Sequence, residues 1–466
     1  MCLELSLVSG SASMAVILDK LSAAELGRLF ASGKVDPVEA TEFYLNRGKQ
    51  TEAVFIAVTE KRARLEAEAA RTRWKAGFPL SNLDGVPIAW KDLFDVRQTV
   101  TTAGSAIFRN QPPAARDAAL VVLAARAGMV CLGKTNLPEL AYSGMGMNPH
   151  FGTPANPHSR EVARVPGGSS SGSAVAVALG SVPIAVGSDT GGSIRVPCAF
   201  NGLVGFRSSI GRLSLDGLYP VCPSLDTAGP IARTVEDCVI LDAIFRGILE
   251  APDQVDLSLH SQRFVLESAV LNDDRVEASV RQNLERIVDR LVRHGAMVDR
   301  RCVPAIQEAL DLHERYGWFA APEILAQHEA LLATKKAEML DFRIRRRLES
   351  ARDFSAVNLV RLWQARERLR AQIAAELDGA TLVMPTVAHV APPIEPLERD
   401  IDLFFKVNAS TLRLTMAGSF LGMPGITIPT GFDQDGLPTS ALFSAAPGRD
   451  DFLLKTARSV EVELRR

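Results

Sequence analysis

What this sequence lacks narrows its function before any motif is considered. Its six cysteines (Cys2, Cys131, Cys198, Cys222, Cys238, Cys302) form no CxxC pair, which argues against both a zinc site and a disulfide frame. They read as small buried hydrophobes in a reducing compartment. No apolar run reaches the roughly 18 residues needed to span a bilayer. The opening MCLELSLVSGSASM has no basic stretch and carries Glu4, unlike a secretory signal. Met14 is therefore readable as a natural start, with 1–13 as a disordered extension, and the expected location is the cytoplasm. Excess charge of one sign is missing too. A formal net charge of -2 offers no electrostatic reason for nucleic acid or an anionic membrane as partner. Finally, His260, His294, His313, His328 and His389 all lack the Gly- or Asp-rich loop that would single out a catalytic base.

What is present is ordinary globular composition, 47% hydrophobic and 23% charged over 466 residues, enough for a large core. Apolar spacing predicts a helix in 21–45 with Ser22 as its cap and Gly33 as a stop, then another over 60–76. The pattern then alternates: strand in 83–96, helix 116–127, strand 129–133, helix 173–180, strand 182–187, and GLVGF as a further strand. Such alternation implies an α/β fold, a large mixed and mostly parallel sheet with helices on both faces. From 258 to 380 the sequence becomes charged and Leu-rich, a helical excursion, before strand-like TLVMPT and PGITIPTGF return. The expected organisation is one domain over 1–466.

Two motif matches mislead. GMVCLGKT (128–135) fits the P-loop pattern, but its four middle residues read as a buried strand rather than a phosphate-cradling loop. GSSSG (168–172) fits a nucleophile elbow at Ser170, yet RVPGG ahead of it is no strand and no histidine base stands out.

A third constellation spans three segments. The serine tract GGSSSGS runs straight into an Ala-rich helix, so its amides lie at a positive helix end. GSDTGGSIRVP, beyond it, sets Ser193 after two glycines, where backbone amides can gather around an oxyanion. Upstream, Lys91 lies in apolar VPIAWKDLF, where burial would favour the neutral amine. Two serines and a lysine can supply nucleophile, relay and base without histidine. Each piece alone has a bland reading, a solvated strand end for Lys91 and a simple turn for GGS.

Taken together the segments resemble the amidase signature family, most densely over 83–240. DGVPIAWKDLFDV, TTAGS, GKTNLPELA, NPHFGTPANP, GGSSSGSAVAVALG, GSDTGGSIRVPCAFNGLVGF and SLDTAGPIARTVED occur in the family's order. The resemblance implies a Ser-cisSer-Lys triad: Ser193 as nucleophile, Ser169 as relay after a cis Gly168–Ser169 bond, and Lys91 as base. It implies an oxyanion hole from the amides of Thr190, Gly191, Gly192 and Ser193, with Asp189 and Arg195 supporting that loop. Ser170 would line the site, and Ala141, Tyr142 and Ser143 would wall the acyl pocket. No metal or organic cofactor is implied, and the expected partner is a small-molecule amide; a homodimer stays open. Trp318, Phe319, Phe404 and Phe405 join Tyr142 as candidates to hold an apolar acyl group, core packing being the alternative for each. No arginine stands out as a carboxylate reader, so neutral amides are expected. Ser419 replaces the family's asparagine, and GLPTSALFSAAPGRDDFLL departs from the usual closing segment. Both departures weigh against the A-type chain of a glutamyl-tRNA amidotransferase, which stays as one alternative beside hydrolysis of urea-derived amides.

Overall fold

The computed structural model describes residues 18–250 and 258–465; Cys2 and the 1–13 extension lie outside them. Among the described residues eleven strands form one sheet: β1 Phe55–Val58, β2 Pro87–Lys91, β3 Val130–Thr135, β4 Ile184–Ser188, β5 Val204–Arg207, β6 Ala228–Ala232, β7 Arg263–Glu267, β8 Met297–Arg301, β9 Thr381–Pro385, β10 Gly425–Phe432 and β11 Pro438–Ser444. Their order is β1-β3-β2-β4-β6-β5-β10-β11-β9-β7-β8.

The α/β architecture and mixed sheet are as expected, but the parallel majority is not. Only β2 with β3 and β4, and β7 with β8 and β9, pair in parallel. The remaining pairings are antiparallel. One cause is the short turn between β10 and β11, which permits only a hairpin.

Period-two alternation puts the strands between two cores. On one face, Phe264, Leu266, Val383, Ala441 and Phe443 join a cluster with helices such as Val235–Phe245 and Asp450–Arg465. On the other, Val265, Leu382, Met384 and Leu442 pack with Pro304–Tyr316, Ala356–Leu377 and Ile401–Phe420.

An early helix runs Ala23–Ala31. Ser22 and Glu25 cap it reciprocally, with bonds of 3.1 and 2.8 Å. Gly33 turns the chain in the left-handed region at φ 69°, and a new helix starts at Pro37. The 258–380 region is not wholly helical, since β7 and β8 extend the sheet there. β8 (MVDRR) is an edge strand whose charged residues meet solvent, so it carries no hydrophobic signal. β6 (AGPIA) escapes notice for its proline, and it pairs with β5 only through Ile231 and Ala232, beyond Pro230. Among the described residues no helix is long and apolar enough to cross a membrane.

Candidate active site

β2 and β4 lie side by side in parallel, with Trp90 opposite Val186. The chain leaves β2 towards β3 on one side, while β4 is flanked by β6 on the other. The carboxyl ends of two such strands leave a crevice where ligands of open α/β sheets bind. Lys91 ends β2 and Ser188 ends β4.

Two buried lysines on neighbouring strands contrast usefully. Lys134 on β3, the P-loop lysine of the misleading motif, forms a 2.6 Å ion pair with Asp92 and a 2.7 Å bond to Thr101. It lies within a fully buried strand, not a phosphate loop. Lys91 is equally buried, yet among the described residues no carboxylate lies within ion-pair distance. Its Nζ sits 2.7 Å from Ser169 Oγ and 2.9 Å from Ser188 Oγ. Burial, opposed in part by Asp189 and Asp226, lowers the Lys91 ammonium to about 7. Burial thus favours the neutral amine that a general base requires.

The serine tract is a rigid buried segment rather than a linker. Gly168–Ser169 is a cis peptide, and the helix Ser171–Ala178 begins two residues later. Gly168 donates to the Gly144 carbonyl at 2.7 Å. A Cβ there would lie 2.6 Å from the Ser143 carbonyl oxygen, so only glycine fits. The tract therefore rests directly on the 142–146 loop. Ser170 Oγ donates to the Ser188 carbonyl at 3.3 Å, and Ser173 Oγ to Val186 at 3.1 Å. Among the described residues no histidine bonds to Ser170. His389 bonds Thr411, His313 packs on Phe420 and His328 on Tyr219. The elbow reading has no base.

Ser193 joins this floor through its backbone, where its carbonyl accepts from Ser170 N–H at 3.1 Å. It is 8% exposed against 1% for Ser169 and 0% for Lys91. Of the three, Ser193 is the most exposed.

The 189–195 loop is built around the Asp189 carboxylate. It accepts from Gly192 N at 2.8 Å, Ile194 N at 3.1 Å, Arg195 Nε at 3.0 Å and Arg207 Nη1 at 3.1 Å. Burial alone would raise its carboxyl; Arg195 and Arg207 hold it well below the usual range. The Gly192 amide is thus committed, which corrects its assignment to the oxyanion hole. Among the described residues the amides of Thr190, Gly191 and Ser193 donate to no protein acceptor. Gly192 is instead needed for its backbone, at φ +137° with a notional Cβ 2.2 Å from Thr415 Oγ1. Ser419 accepts from Arg195 Nη2 at 2.7 Å, placing the departure from the family pattern on this same network.

Three residues escape sequence reasoning. Ser188 is hidden as the first serine of a loop whose glycines draw attention. Asp226 accepts from Thr190 Oγ1 at 2.5 Å and from the Val221 and Cys222 amides at 2.9 Å, steadying the loop from another strand connection. Arg347 donates to the Tyr142 carbonyl and lies over its ring, beside the residues expected to wall an acyl pocket.

Tyr142 is buried and stacks on Trp318 with ring centroids 6.0 Å apart. Trp318 borders the loop, since a Cβ on Gly191 would sit 3.0 Å from its Cζ2. Ser143 and the Gly144 amide meet Asn408 Oδ1 at 3.3 and 2.8 Å. Leu140 and Ala141 turn the chain here at φ 54° and 56°. Phe319 packs against Trp363 and Phe420 in the core, and Phe404 against Phe405. Of the five candidate aromatics, only Tyr142 and Trp318 thus stack beside the 189–195 loop.

Known proteins resemble this chain along most of its length. A family model described as Amidase matches residues 39–454. The 2-amino-5-chloromuconic acid deaminase of Comamonas testosteroni is 33% identical over 406 residues, covering 86% of each chain. The A-type chain of the glutamyl-tRNA(Gln) amidotransferase of Thermobifida fusca (strain YX) is 31% identical over 489 residues, covering 96% of each. Among solved structures, a crystal structure of an amidase superposes with a TM-score of 0.83 at 30% identity, covering 95% of this chain and 99% of that one.

Proposed function

The chain belongs to the amidase signature family, hydrolases of amide carbon–nitrogen bonds, and from that premise we propose that it splits carboxylic amides through an acyl-enzyme on Ser193. Neutral Lys91 accepts the Ser169 hydroxyl proton while Ser169 takes the proton of Ser193, whose oxygen attacks the amide carbon. The tetrahedral oxyanion is received by the free amides of Thr190, Gly191 and Ser193. Preorganised donors of this kind are each worth about 3 kcal/mol in the transition state. The proton returns through Ser169 to the leaving nitrogen, which departs as ammonia or amine. Water then attacks the ester by the same relay and releases the acid.

The observation that carries this reading is the carboxylate-free burial of Lys91 at 2.7 Å from Ser169 Oγ. A buried lysine kept for stability has a counter-ion, as Lys134 does. The test is ammonia release from a panel of aliphatic, aromatic, carboxylated and urea-derived amides by the wild type and by Ser193→Ala. Turnover that survives Ser193→Ala would remove the assignment.

A second reading rests on the near-full-length similarity to the A-type chain of the amidotransferase. In that role the protein would release ammonia to a partner, and on its own it would be inactive or weak on free amides. Gel filtration together with activity of the purified chain separates the two. The relative named for 2-amino-5-chloromuconic acid acts on a carboxylic acid, which favours including carboxylated amides in the panel.

A further inference from the structure

The helix Phe342–Ser350 carries four arginines in nine residues. Three have carboxylate partners: Arg343 with Asp341 at 2.7 Å, Arg345 with Glu349 at 2.8 Å, and Arg346 with Asp402 at 3.2 Å. Arg347 has none within ion-pair distance among the described residues. Its Nη1 donates to the Tyr142 carbonyl at 2.7 Å. Its guanidinium carbon lies 4.0 Å from the centre of the Tyr142 ring and 5.3 Å from that of Trp318.

Arg347 is half-buried, and because a guanidinium remains charged in proteins, the cost of that partial desolvation cannot be relieved by losing a proton. The neighbouring rings offset part of that cost, since a cation over an aromatic face gains roughly 0.5–2 kcal/mol. One backbone carbonyl uses one of its five N–H donors. The rest of a fork shaped for a carboxylate is unmatched by any acid among the described residues. The location makes this informative. The Trp318 ring lies near both Arg347 and Gly191, so one indole neighbours the guanidinium and the oxyanion loop alike.

The placement is itself held firmly. Glu139 accepts from Ser105 Oγ at 2.6 Å and from the backbone N–H of Asp341 at 2.6 Å. Its carboxylate thereby ties the turn before Tyr142 to the start of the arginine helix. The ring and the guanidinium are thereby held relative to one another.

We propose that Arg347 receives a carboxylate carried on the acyl part of the substrate, so that the preferred substrates are short monoamides of dicarboxylic acids. This deepens the amide-hydrolase reading and rests on it. A neutral acyl chain would cover the half-buried guanidinium without supplying an anion. A short anionic chain would cover the Trp318 face and end on the fork. The anion is bound and released unchanged, so the hydrolysis itself needs no additional reactant.

The test compares succinamate with butyramide, which differ by a carboxylate in place of a methyl. The wild type is expected to favour succinamate in kcat/KM. Arg347→Met should reduce the succinamate-to-butyramide ratio by roughly tenfold to a hundredfold, the range for losing a charge-assisted hydrogen bond. Arg347→Lys, which keeps the charge but not the fork, should recover part of it. Equal wild-type use of both amides, or a parallel loss of both in Arg347→Met, overturns the proposal. Calorimetric titration of succinamate into Ser193→Ala, with and without Arg347→Met, needs no turnover. Binding that vanishes with Arg347 supports the carboxylate site even if no amide is ever hydrolysed; binding indifferent to Arg347 overturns it.

Discussion

Lys91, Ser169, Ser188 and Ser193 form the floor of the proposed site, at strand ends and loops of a sheet buried on both faces. Trp318 and Arg347 sit on its wall, in a helical region whose outer side meets solvent and exposes Phe342, Val357 and Val360. The floor is polar, and its bonds are short and specific, such as Lys91 to Ser169 and Asp189 to Arg195 and Arg207. The wall is held by ring stacking between Tyr142, Trp318 and Arg347. Buried polar bonds are costly to leave half-made, whereas stacked faces tolerate substitution at modest cost. Floor residues should therefore determine whether any amide is cleaved, and wall residues which amide is cleaved.

The largest effect expected is on the floor. Ser193→Ala should lower kcat/KM by about 10⁴-fold or more on every amide tested, as losing a nucleophile does elsewhere. A substrate-dependent loss would break the division between floor and wall. Lys91→Met should cost nearly as much, and the wild-type pH profile should reveal the same group. As the proposed base Lys91 must be neutral, and burial lowers its ammonium to about 7. Below that pH, kcat/KM should fall about tenfold per unit, and above it the profile should level off. A flat profile between pH 5 and 9 would exclude Lys91 as the base.

Asp189→Asn comes next, read as stability rather than rate. It leaves the guanidiniums of Arg195 and Arg207 buried without their shared anion, a loss of about 3–5 kcal/mol for a broken buried pair. Denaturant unfolding followed by tryptophan fluorescence measures it; an unchanged midpoint would show the loop does not depend on this network. On the wall, Trp318→Ala should change kcat/KM by roughly tenfold, as expected when a buried aromatic contact is lost, and by different factors for different acyl groups. Uniform loss across the panel would assign Trp318 to the floor. Smallest of all is Ser170→Ala, which removes one 3.3 Å bond to the Ser188 carbonyl. A net contribution near 1 kcal/mol for such a bond implies a change of less than about tenfold.

The same division explains what is legible in the sequence. Lys91, Ser169 and Ser193 sit inside short motifs, because each needs particular neighbours: apolar residues around the lysine and glycines beside the serines. The arrangement of β2 and β4 follows from their alternation with helices. Arg347 is not legible, since on its helix it is one arginine among four, and only the tertiary positions of Asp341, Glu349 and Asp402 reveal that it alone of the four lacks an acid among the described residues. Gly192 misleads because a glycine beside a nucleophile suggests an exposed amide, while Asp189 three residues earlier captures that amide. β8 goes unseen because an edge strand carrying Asp299, Arg300 and Arg301 has no apolar face to announce it.

The central claim is that attack comes from Ser193 and not from the serine tract. Treating the protein with an arylsulfonyl fluoride and mapping the adduct by peptide mass spectrometry tests it directly. A single adduct on Ser193, formed much more slowly in Lys91→Met, is the expected result. An adduct on Ser169, Ser170 or another serine of the tract, or labelling of Ser193 indifferent to Lys91, would contradict the account.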